Sequence, residues 1–201
     1  MITEQIINDC TAWIAKRVHG TGKQKAIIGI SGGKDSTVCA MLCIKALGKE
    51  NVIGVMLPNG AQKDIKDSIK VVETLGIEHY TLNIENANQA ICDEIALQVG
   101  PVCEDTKINT PARVRMTMLF ALSPMFNALV CNTCNLSEDT VGYATFGGDG
   151  FGSFSPISKL TTDEIIAIGD KLAEEFNLDS SLIHKTPIDG LQPLSDEEKL
   201  G

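Results

Sequence analysis

The sequence is poor in aromatic residues, and it has no apolar run long enough to cross a membrane. Aromatic side chains make up 4% of the 201 residues, whereas a spanning helix needs about 20 consecutive apolar residues. Residues 1–5 are too polar and acidic for a signal peptide. With 43% hydrophobic and 21% charged residues, we expect a globular cytoplasmic protein that is neither disordered nor bound to a membrane.

An excess of basic residues is also missing. The chain has 17 Lys and Arg residues against 26 Asp and Glu residues, which gives a formal net charge of −9. A protein that binds nucleic acid normally presents a basic face to the phosphates. The charge balance therefore disfavours a nucleic-acid partner.

The seven cysteines lack the regular spacing of a disulfide framework, and they fit a reducing compartment. Cys131 and Cys134 form a single C-x-x-C pair, and the three histidines are scattered along the chain. A zinc site would therefore lack ligands. We interpret the pair as structural, with a redox role as the alternative.

Hydrophobic periodicity divides the chain into alternating helices and strands. It predicts helices over 3–18, 36–47, 63–75, 88–99, 111–122 and 163–176, with strands over 26–30, 51–57, 79–84 and 128–131. This alternation is typical of a doubly wound, Rossmann-like parallel α/β sheet, so residues 1–201 are predicted to form a single domain. Residues 142–158 are rich in glycine and aromatics, which indicates a mobile loop over the site or a static surface connection.

The clearest chemical signal is the segment Ser31-Gly32-Gly33-Lys34-Asp35-Ser36, which follows the first predicted strand and opens a helix. Its glycines allow the backbone to approach an anion closely, and the unpaired amides of a helix N-terminus attract phosphate. Lys34 adds a positive charge, and Asp35 can ligate a magnesium ion between phosphates. The Walker pattern is absent. The segment therefore predicts a phosphate-binding turn of another kind, an ordinary tight turn being the alternative.

A second polar segment, residues 132–139, follows the fourth predicted strand. In a doubly wound sheet that strand end lies beside the first, so Glu138 and Asp35 could share one cation. Alternatively, Glu138 only complements the dipole of a helix N-terminus. Arg113 and Arg115 point in different directions on their predicted helix, so one can face an anion while the other packs outward.

These motifs resemble those of a known family. The turn at 31–36 resembles the PP-loop of N-type ATP pyrophosphatases, and the flanking motifs narrow the resemblance to ammonia-dependent NAD synthetases. The chain matches the family's Leu-Pro-x-Gly-x-Gln-x-Asp, Asn-x-x-Ala-Arg-x-Arg-Met and Thr-x-Asn-x-Ser-Glu motifs, with further matches late in the chain; the matching segments are 57–64, 109–116, 133–138, 142–156 and 185–201. The resemblance covers nearly the whole chain and implies an adenine nucleotide alpha hydrolase-like fold.

The resemblance implies a two-step reaction, in which ATP adenylates the nicotinate carboxylate of deamido-NAD, releasing pyrophosphate, and ammonia then displaces AMP to give NAD. It implies ATP binding by the PP-loop and two flanking positions, namely Gly29, Ile30, Ser31, Gly32, Gly33, Lys34, Asp35, Ser36, Gln62 and Thr133. Asp35 and Glu138 would ligate Mg²⁺, and Lys34 would act with them in catalysis. The implied contacts to deamido-NAD are Arg113, Phe146 and Asp149.

The resemblance also implies a homodimer, with deamido-NAD bound near the subunit interface. The apolar helix at 116–122 could supply that contact, the alternative being a plain core helix. Relatives continue for a few dozen residues beyond the position of Gly201, ending in a basic segment that binds deamido-NAD.

Four positions depart from the family pattern. Phe146 stands where a basic residue is common, Ser153 replaces an aspartate, Thr162 replaces a lysine, and Ile188 replaces Thr or Ser. All four lie in the part of the sequence associated with the acceptor, so the ATP half of the site matches the family more closely. Two alternatives therefore remain: a PP-loop enzyme that adenylates a different acceptor, and a nucleotide-binding protein that has lost turnover.

Overall fold

Four parallel strands form the centre of the computed structural model, which describes residues 2–62 and 65–185. The strands are β1 (Lys25–Gly29), β2 (Val52–Met56), β3 (Glu78–Thr81) and β4 (Ala128–Cys131). The helices are α1 (Ile2–His19), α2 (Lys34–Leu47), α3 (Ile65–Leu75), α4 (Glu85–Gln98), α5 (Glu104–Phe126), α6 (Leu136–Val141) and α7 (Thr162–Phe176). Short 3₁₀ helices occur at Lys49–Asn51 and Ser180–Leu182. Within the described residues, no helix is both long enough and apolar enough to span a bilayer.

The sheet order is β3-β2-β1-β4, and every adjacent pair is parallel. Ile27 of β1 pairs with Ile53 of β2 on one side and with Val130 of β4 on the other. The central strands are continuous apolar runs because both of their faces are covered by helices. The predicted parallel α/β fold is therefore confirmed.

Successive side chains along each strand point to opposite faces of the sheet, so they contribute to two separate apolar layers. Ile28 points into the larger layer, which α1, α2, α3 and α7 cover with residues such as Met41 and Leu172. Ile27 points into the smaller layer, where Leu119 of α5 packs against the sheet. The two layers hold the strand ends in fixed positions beneath the site.

The helix predicted over 111–122 was too short at both ends, since α5 runs from Glu104 to Phe126 with Pro111 inside it. Proline favours the first helical turn, which is why the sequence pattern placed the start there. In the structure, the two side chains just before Pro111 donate hydrogen bonds to backbone carbonyls of the preceding turn. Asn109 Nδ2 donates to Asp105 O at 2.8 Å, and Thr110 Oγ1 donates to Thr106 O at 2.6 Å. These bonds reinforce the helical turn that precedes the proline.

Two further differences concern short elements. The strand predicted over 79–84 is Glu78–Thr81, although the Leu82 N–H still donates to the Met56 carbonyl of β2 and the Ile84 N–H donates to the Pro58 carbonyl. Helix α6 was not predicted as an element, because six residues carry too little periodicity to reveal a helix. The N-cap residue of α7 is Thr161, whose side chain accepts from the Glu164 N–H.

Candidate active site

A cavity of about 280 Å³ opens where β1 and β4 end. The predicted ATP-binding residues line it with the exception of Gly32, and two of the other predicted site residues, Glu138 and Asp149, lie on its wall. Ligands of parallel α/β sheets bind at this edge, outside the carboxyl ends of strands at the point where the strand order reverses. The fold therefore brings two distant polar segments of the sequence to one cavity.

Gly32 shapes the turn from behind rather than lining the cavity. Its backbone has φ +82°, and a Cβ at this position would lie 2.8 Å from the Ser68 N atom and 2.9 Å from the Asp67 Cβ atom of α3. Both the left-handed conformation and the close approach to α3 require a glycine. The turn can therefore pass close to α3 while the N-terminus of α2 points into the cavity.

Serine hydroxyls fix the shape of the turn. The Oγ atoms of Ser31 and Ser36 lie 3.0 Å apart, and Ser31 Oγ accepts from the Gly33 N–H at 3.2 Å. Ser36 Oγ donates to the Gly33 carbonyl at 3.2 Å. Donors that are already positioned need little rearrangement when an anion binds, and the amides that open α2 lack helical partners.

Lys34 and Asp35 form an ion pair at the start of α2. Lys34 Nζ donates to Asp35 Oδ2 at 3.0 Å, and the two side chains are 8% and 19% exposed. The other carboxylate oxygen of Asp35 accepts from Asn135 Nδ2 at 3.1 Å. The carboxylate predicted to ligate a metal is thus held from two sides at the cavity wall.

Glu138 belongs to the first turn of α6, where it forms a capping box with Asn135. Its side chain is largely buried, and this burial raises its pKa from 4.5 to about 7, while the backbone N–H of Asn135 opposes the rise and the charge of Asp35 adds to it. Glu138 therefore both caps a helix and faces the cavity, so the two interpretations of its role are compatible. Carboxylate oxygens are hard donors that suit Mg²⁺.

The residues predicted to contact deamido-NAD occupy two places. Asp149 lies on the cavity wall, and its Oδ1 accepts from the Thr145 N–H at 3.0 Å. Arg113 and Phe146 lie outside the cavity lining, where Arg113 Nε donates to the Phe146 carbonyl at 3.1 Å. The Phe146 side chain is 90% exposed. The arginine and the loop position are thus adjacent to each other on the outer face of α5.

The segment 142–158 contacts the rest of the protein in two places, one near its start and one near its end. Thr145 Oγ1 donates to Asn109 Oδ1 at 2.9 Å, and a Cβ on Gly148 would lie 2.9 Å from the Ala112 Cβ. Further along, the Asn132 N–H donates to the Phe154 carbonyl at 2.8 Å beside β4. The mobility of this segment stays a prediction.

The cavity wall also includes side chains to which the sequence assigned no role, among them Arg115, Lys185 and Tyr143. Arg115 Nε donates to the Leu57 carbonyl at 3.0 Å, so Arg115 is the member of the arginine pair that faces the cavity. Lys185 Nζ donates to Asp67 Oδ2 at 2.7 Å, and Tyr143 also lines the cavity. The Arg-x-Arg spacing indicated that one arginine faces an anion but could not select which.

Some predicted positions lie outside the described residues. Ile188 and the late motif from residue 186 onward are among them, as are residues 63 and 64 of the motif that follows β2. The departure at Thr162 falls at the start of α7, where its N–H donates to Ser137 Oγ at 3.3 Å. Ser153 contacts β4 instead, since its Oγ accepts from the Val130 N–H at 3.3 Å.

Cys131 and Cys134 are both buried at the end of β4. Burial raises the pKa of Cys131, and it raises the pKa of Cys134 to about 12, with the nearby charge of Glu138 as a further cause. Thiols become nucleophilic only when deprotonated, so neither is activated. Among the described residues, no group of three or more His, Cys, Asp and Glu side chains could hold a metal ion. The pair is therefore best interpreted as structural.

The parallel sheet and the glycine turn at the start of α2 define an α/β protein of the PP-loop, adenine nucleotide alpha hydrolase type. Residues 6–201 match the NAD synthase family, and the chain belongs to this family.

Curated relatives and solved structures agree with this assignment. The NH(3)-dependent NAD(+) synthetase of Methanocaldococcus jannaschii is 36% identical, over 98% of this chain and 76% of the relative. That of Methanococcoides burtonii is 34% identical, over 94% of this chain and 71% of the relative. The NMN synthetase from Francisella tularensis superimposes with a TM-score of 0.88 at 28% identity, covering 99% of this chain and 81% of that one. The NH3-dependent NAD synthetase from Campylobacter jejuni gives 0.79 at 32% identity, covering 92% and 78%.

The raised pKa of Glu138 predicts a pH dependence of folding stability when metal and nucleotide are absent. The ordinary pKa of a glutamate is 4.5, and the pKa of Glu138 in the folded protein is about 7. Between these two pH values, the folded protein holds a proton on Glu138 that the unfolded chain releases. Stability therefore falls as pH rises through this window. Glu138→Gln keeps an acceptor for the capping box and cannot ionise.

We expect Glu138→Gln to match the parent near pH 4.5 and to be more stable at pH 8, by on the order of 2 kcal/mol after solvent screening. Urea unfolding in EDTA at stepped pH measures this difference. Parallel curves for the two proteins across the whole range would contradict a raised pKa at this carboxylate.

Proposed function

We propose that the chain catalyses the ATP-dependent amidation of deamido-NAD to NAD with ammonia. The observation that carries this proposal is the cavity lined both by the turn at 31–36, which includes Asp35, and by Glu138, in a chain of the NAD synthase family. The relatives at 31–36% identity that support it are NH(3)-dependent NAD(+) synthetases.

The first step joins the two substrates. A nicotinate carboxylate oxygen attacks the α-phosphorus of ATP, the bond from that phosphorus to the bridging oxygen of the β-phosphate breaks, and pyrophosphate leaves. The amides that open α2 and the Lys34 ammonium lie at the cavity wall, where they stabilise the charge that develops on the phosphate oxygens. Catalysis by the chain is then mainly positioning and electrostatic stabilisation.

The second step forms the amide. Ammonia attacks the acyl carbon of the adenylate, the bond to the AMP oxygen breaks, and the nitrogen loses a proton to solvent. AMP is a good leaving group, so this exchange needs no protein nucleophile. The thiols at the end of β4 would be poor ones, because burial raises the pKa of Cys131 and of Cys134.

Mg²⁺ fits the donors present at the cavity. Asp35 and Glu138 offer carboxylate oxygens and would hold it, with the nucleotide and water supplying the remaining ligands. When bound, the ion supplies positive charge that neutralises the leaving pyrophosphate. Burial is the main cause of the raised pKa of Glu138 and the charge of Asp35 adds to it, so a bound cation or a proton would relieve the repulsion between the two carboxylates.

A second acceptor, nicotinate mononucleotide, is favoured by the resemblance to a synthetase of NMN. That structure superimposes on this chain with a TM-score of 0.88. The chain also carries an exposed Phe146 at a loop position where NAD synthetases commonly have a basic residue. A mononucleotide lacks the adenylyl half of the dinucleotide and needs fewer cationic contacts, while the chemistry at the carboxylate is the same.

We also propose that the chain works as a homodimer, through the exposed apolar side chains at the end of α4. Helix α4 has 14 residues and buries none of them, although several are apolar. Leu97 near the end of this helix is 75% exposed, and Val99 just after it is 84% exposed. Burying such side chains against a second copy would be favourable.

All seven cysteines are free, which fits a cytoplasmic setting.

Incubating the protein with ATP, Mg²⁺, ammonium and deamido-NAD tests the reaction. We expect NAD, AMP and pyrophosphate in equal amounts, and loss of all three products in Asp35→Ala, because the metal ligand and the partner of Lys34 are both removed. Circular dichroism checks that this variant keeps its fold. A parallel incubation with nicotinate mononucleotide measures the competing acceptor by its kcat/KM.

The products decide between the candidates. Faster formation of NMN than of NAD would support the mononucleotide acceptor, and AMP without either amide would indicate another acceptor. ATP binding with no product would support a protein that has lost turnover. Undiminished product from Asp35→Ala would contradict the assignment of this carboxylate.

Arg113 is expected to contact the anionic acceptor rather than ATP, because it lies outside the cavity lining and beside Phe146. A charge-assisted contact is worth about 1.5–3 kcal/mol, which corresponds to roughly a ten- to hundred-fold change in affinity. Arg113→Ala should therefore raise the KM for deamido-NAD by about that factor and leave the KM for ATP nearly unchanged. Phe146→Lys should lower the KM for deamido-NAD.

Lys107→Ala serves as the matched control, since it removes an exposed cation from the same helix. Steady-state kinetics with each substrate varied in turn provides the measurement. A KM for deamido-NAD that is the same in Arg113→Ala and Lys107→Ala would show that the dinucleotide is held elsewhere.

The homodimer predicts that a charge on the exposed apolar face separates the subunits. Leu97→Glu should convert the protein to a monomer, because a buried carboxylate without a partner opposes association. Ile2→Glu is the matched control, being a 79% exposed apolar residue on α1, across the sheet from α4. Light scattering after size-exclusion chromatography measures the mass. A parent that is monomeric at micromolar concentration, or a dimeric Leu97→Glu protein, would contradict the proposed interface.

A further inference from the structure

Asn135 lies between Asp35 and Glu138 and contacts both. It is 1% exposed and is the N-cap residue of α6. Its backbone N–H donates to Glu138 Oε2 at 2.9 Å, and its side-chain Oδ1 accepts from the Glu138 N–H at 3.0 Å. On its other side, Nδ2 donates to Asp35 Oδ1 at 3.1 Å. One buried amide therefore joins two carboxylates that come from different elements.

The two neighbours fix the orientation of this amide. The Glu138 N–H requires an acceptor, which only Oδ1 supplies, and the Asp35 carboxylate requires a donor, which only Nδ2 supplies. A rotated amide would place a donor against a donor and an oxygen against a carboxylate. Because every partner is satisfied in one orientation alone, the side chain forms a rigid link.

Asp35 is thereby held on both of its oxygens. Lys34 Nζ donates to Oδ2 at 3.0 Å, and Asn135 Nδ2 donates to Oδ1. Lys34 is the preceding residue on the same helix, so it cannot fix Asp35 relative to α6. Asn135 does so across 100 positions of sequence.

We propose that Asn135 is a positioning residue, which sets the placement of Asp35 relative to Glu138 for metal-bound nucleotide. This inference rests on the proposed function, because it requires the two carboxylates to hold Mg²⁺. Like charges held close together would separate if their partners were free to move. An N-cap elsewhere in the chain would need no contact to a second element, so the bond to Asp35 distinguishes Asn135 from a residue that only caps a helix.

A second capping box in the same chain allows the two roles to be separated. At the start of α7, the Glu164 N–H donates to Thr161 Oγ1 at 3.4 Å, and the Thr161 N–H donates to Glu164 Oε2 at 2.8 Å. Neither residue lines the cavity. Thr161→Ala therefore removes a comparable cap without removing a contact to Asp35.

Calorimetric titration with α,β-methylene-ATP, in saturating Mg²⁺ and separately in EDTA, tests the proposal. This analogue cannot be cleaved at the bond that the reaction breaks. Asn135→Ser keeps an oxygen that caps α6 but is too short to donate to Asp35. We expect it to weaken the affinity in Mg²⁺ by about ten-fold and to change the affinity in EDTA by less than about two-fold.

Control variants separate an effect on helix capping from an effect on the position of Asp35. Thr161→Ala should lower the unfolding temperature by a few degrees and leave the affinity in Mg²⁺ within about two-fold of the parent. Asn135→Thr, which also keeps a capping oxygen, replaces Asn135→Ser if the smaller side chain prevents folding. An unchanged affinity in Mg²⁺, or equal losses in Mg²⁺ and EDTA, would overturn the positioning role while leaving the proposed function intact. A parent that gains no affinity from Mg²⁺ would overturn the metal pair and this inference together.

Discussion

The parallel pairing of β4 with β1 is the constraint on which the site depends. Ile28 of β1 lies opposite Cys131 of β4, so the two strands end together at the same edge of the sheet. The turn at 31–36 leaves one strand and the segment 132–138 leaves the other. Antiparallel pairing would place these segments at opposite edges of the sheet, and a strand inserted between β1 and β4 would separate them along the same edge. The proximity of the segment 132–138 to the N-terminus of α2 follows from this adjacency.

The chain is acidic overall, yet the groups at the cavity wall are arranged so that they attract phosphate. The formal net charge is −9, yet the cavity wall includes the N-terminus of α2 and the side chains of Lys34, Arg115 and Lys185. The carboxylates of Asp35 and Glu138 stand among these groups. An anion alone would be repelled by the two carboxylates, whereas an anion that carries a divalent cation satisfies both signs of charge. The geometry therefore suits a metal–nucleotide complex better than free phosphate.

Local chemistry explains which parts of the structure could be predicted from the sequence. Strand β4 was predicted with its observed bounds, and the strand order that brings Glu138 toward Asp35 followed from general rules for parallel sheets. The start of α5 could not be predicted, because proline favours the first turn of a helix and so indicated a start at residue 111, whereas α5 begins at Glu104. Likewise, Arg115 rather than Arg113 faces the cavity because of how α5 is rotated against β1, which periodicity alone does not determine.

The positions proposed to bind the acceptor are harder to predict, because their placement depends on contacts between separate elements. Gly152 lies so close to β4 that a Cβ would meet the Asn132 N atom at 2.7 Å. The second half of the segment 142–158 is therefore fixed to the sheet. Its first half instead contacts α5 through Arg113 and the Phe146 carbonyl, on the outer face of the molecule. A change in the loop near Phe146 would thus leave the turn at 31–36 unaltered. Under the proposed function, this separation would let one nucleotide site serve acceptors of different size, and the structures similar to this chain include synthetases named for NAD and for NMN.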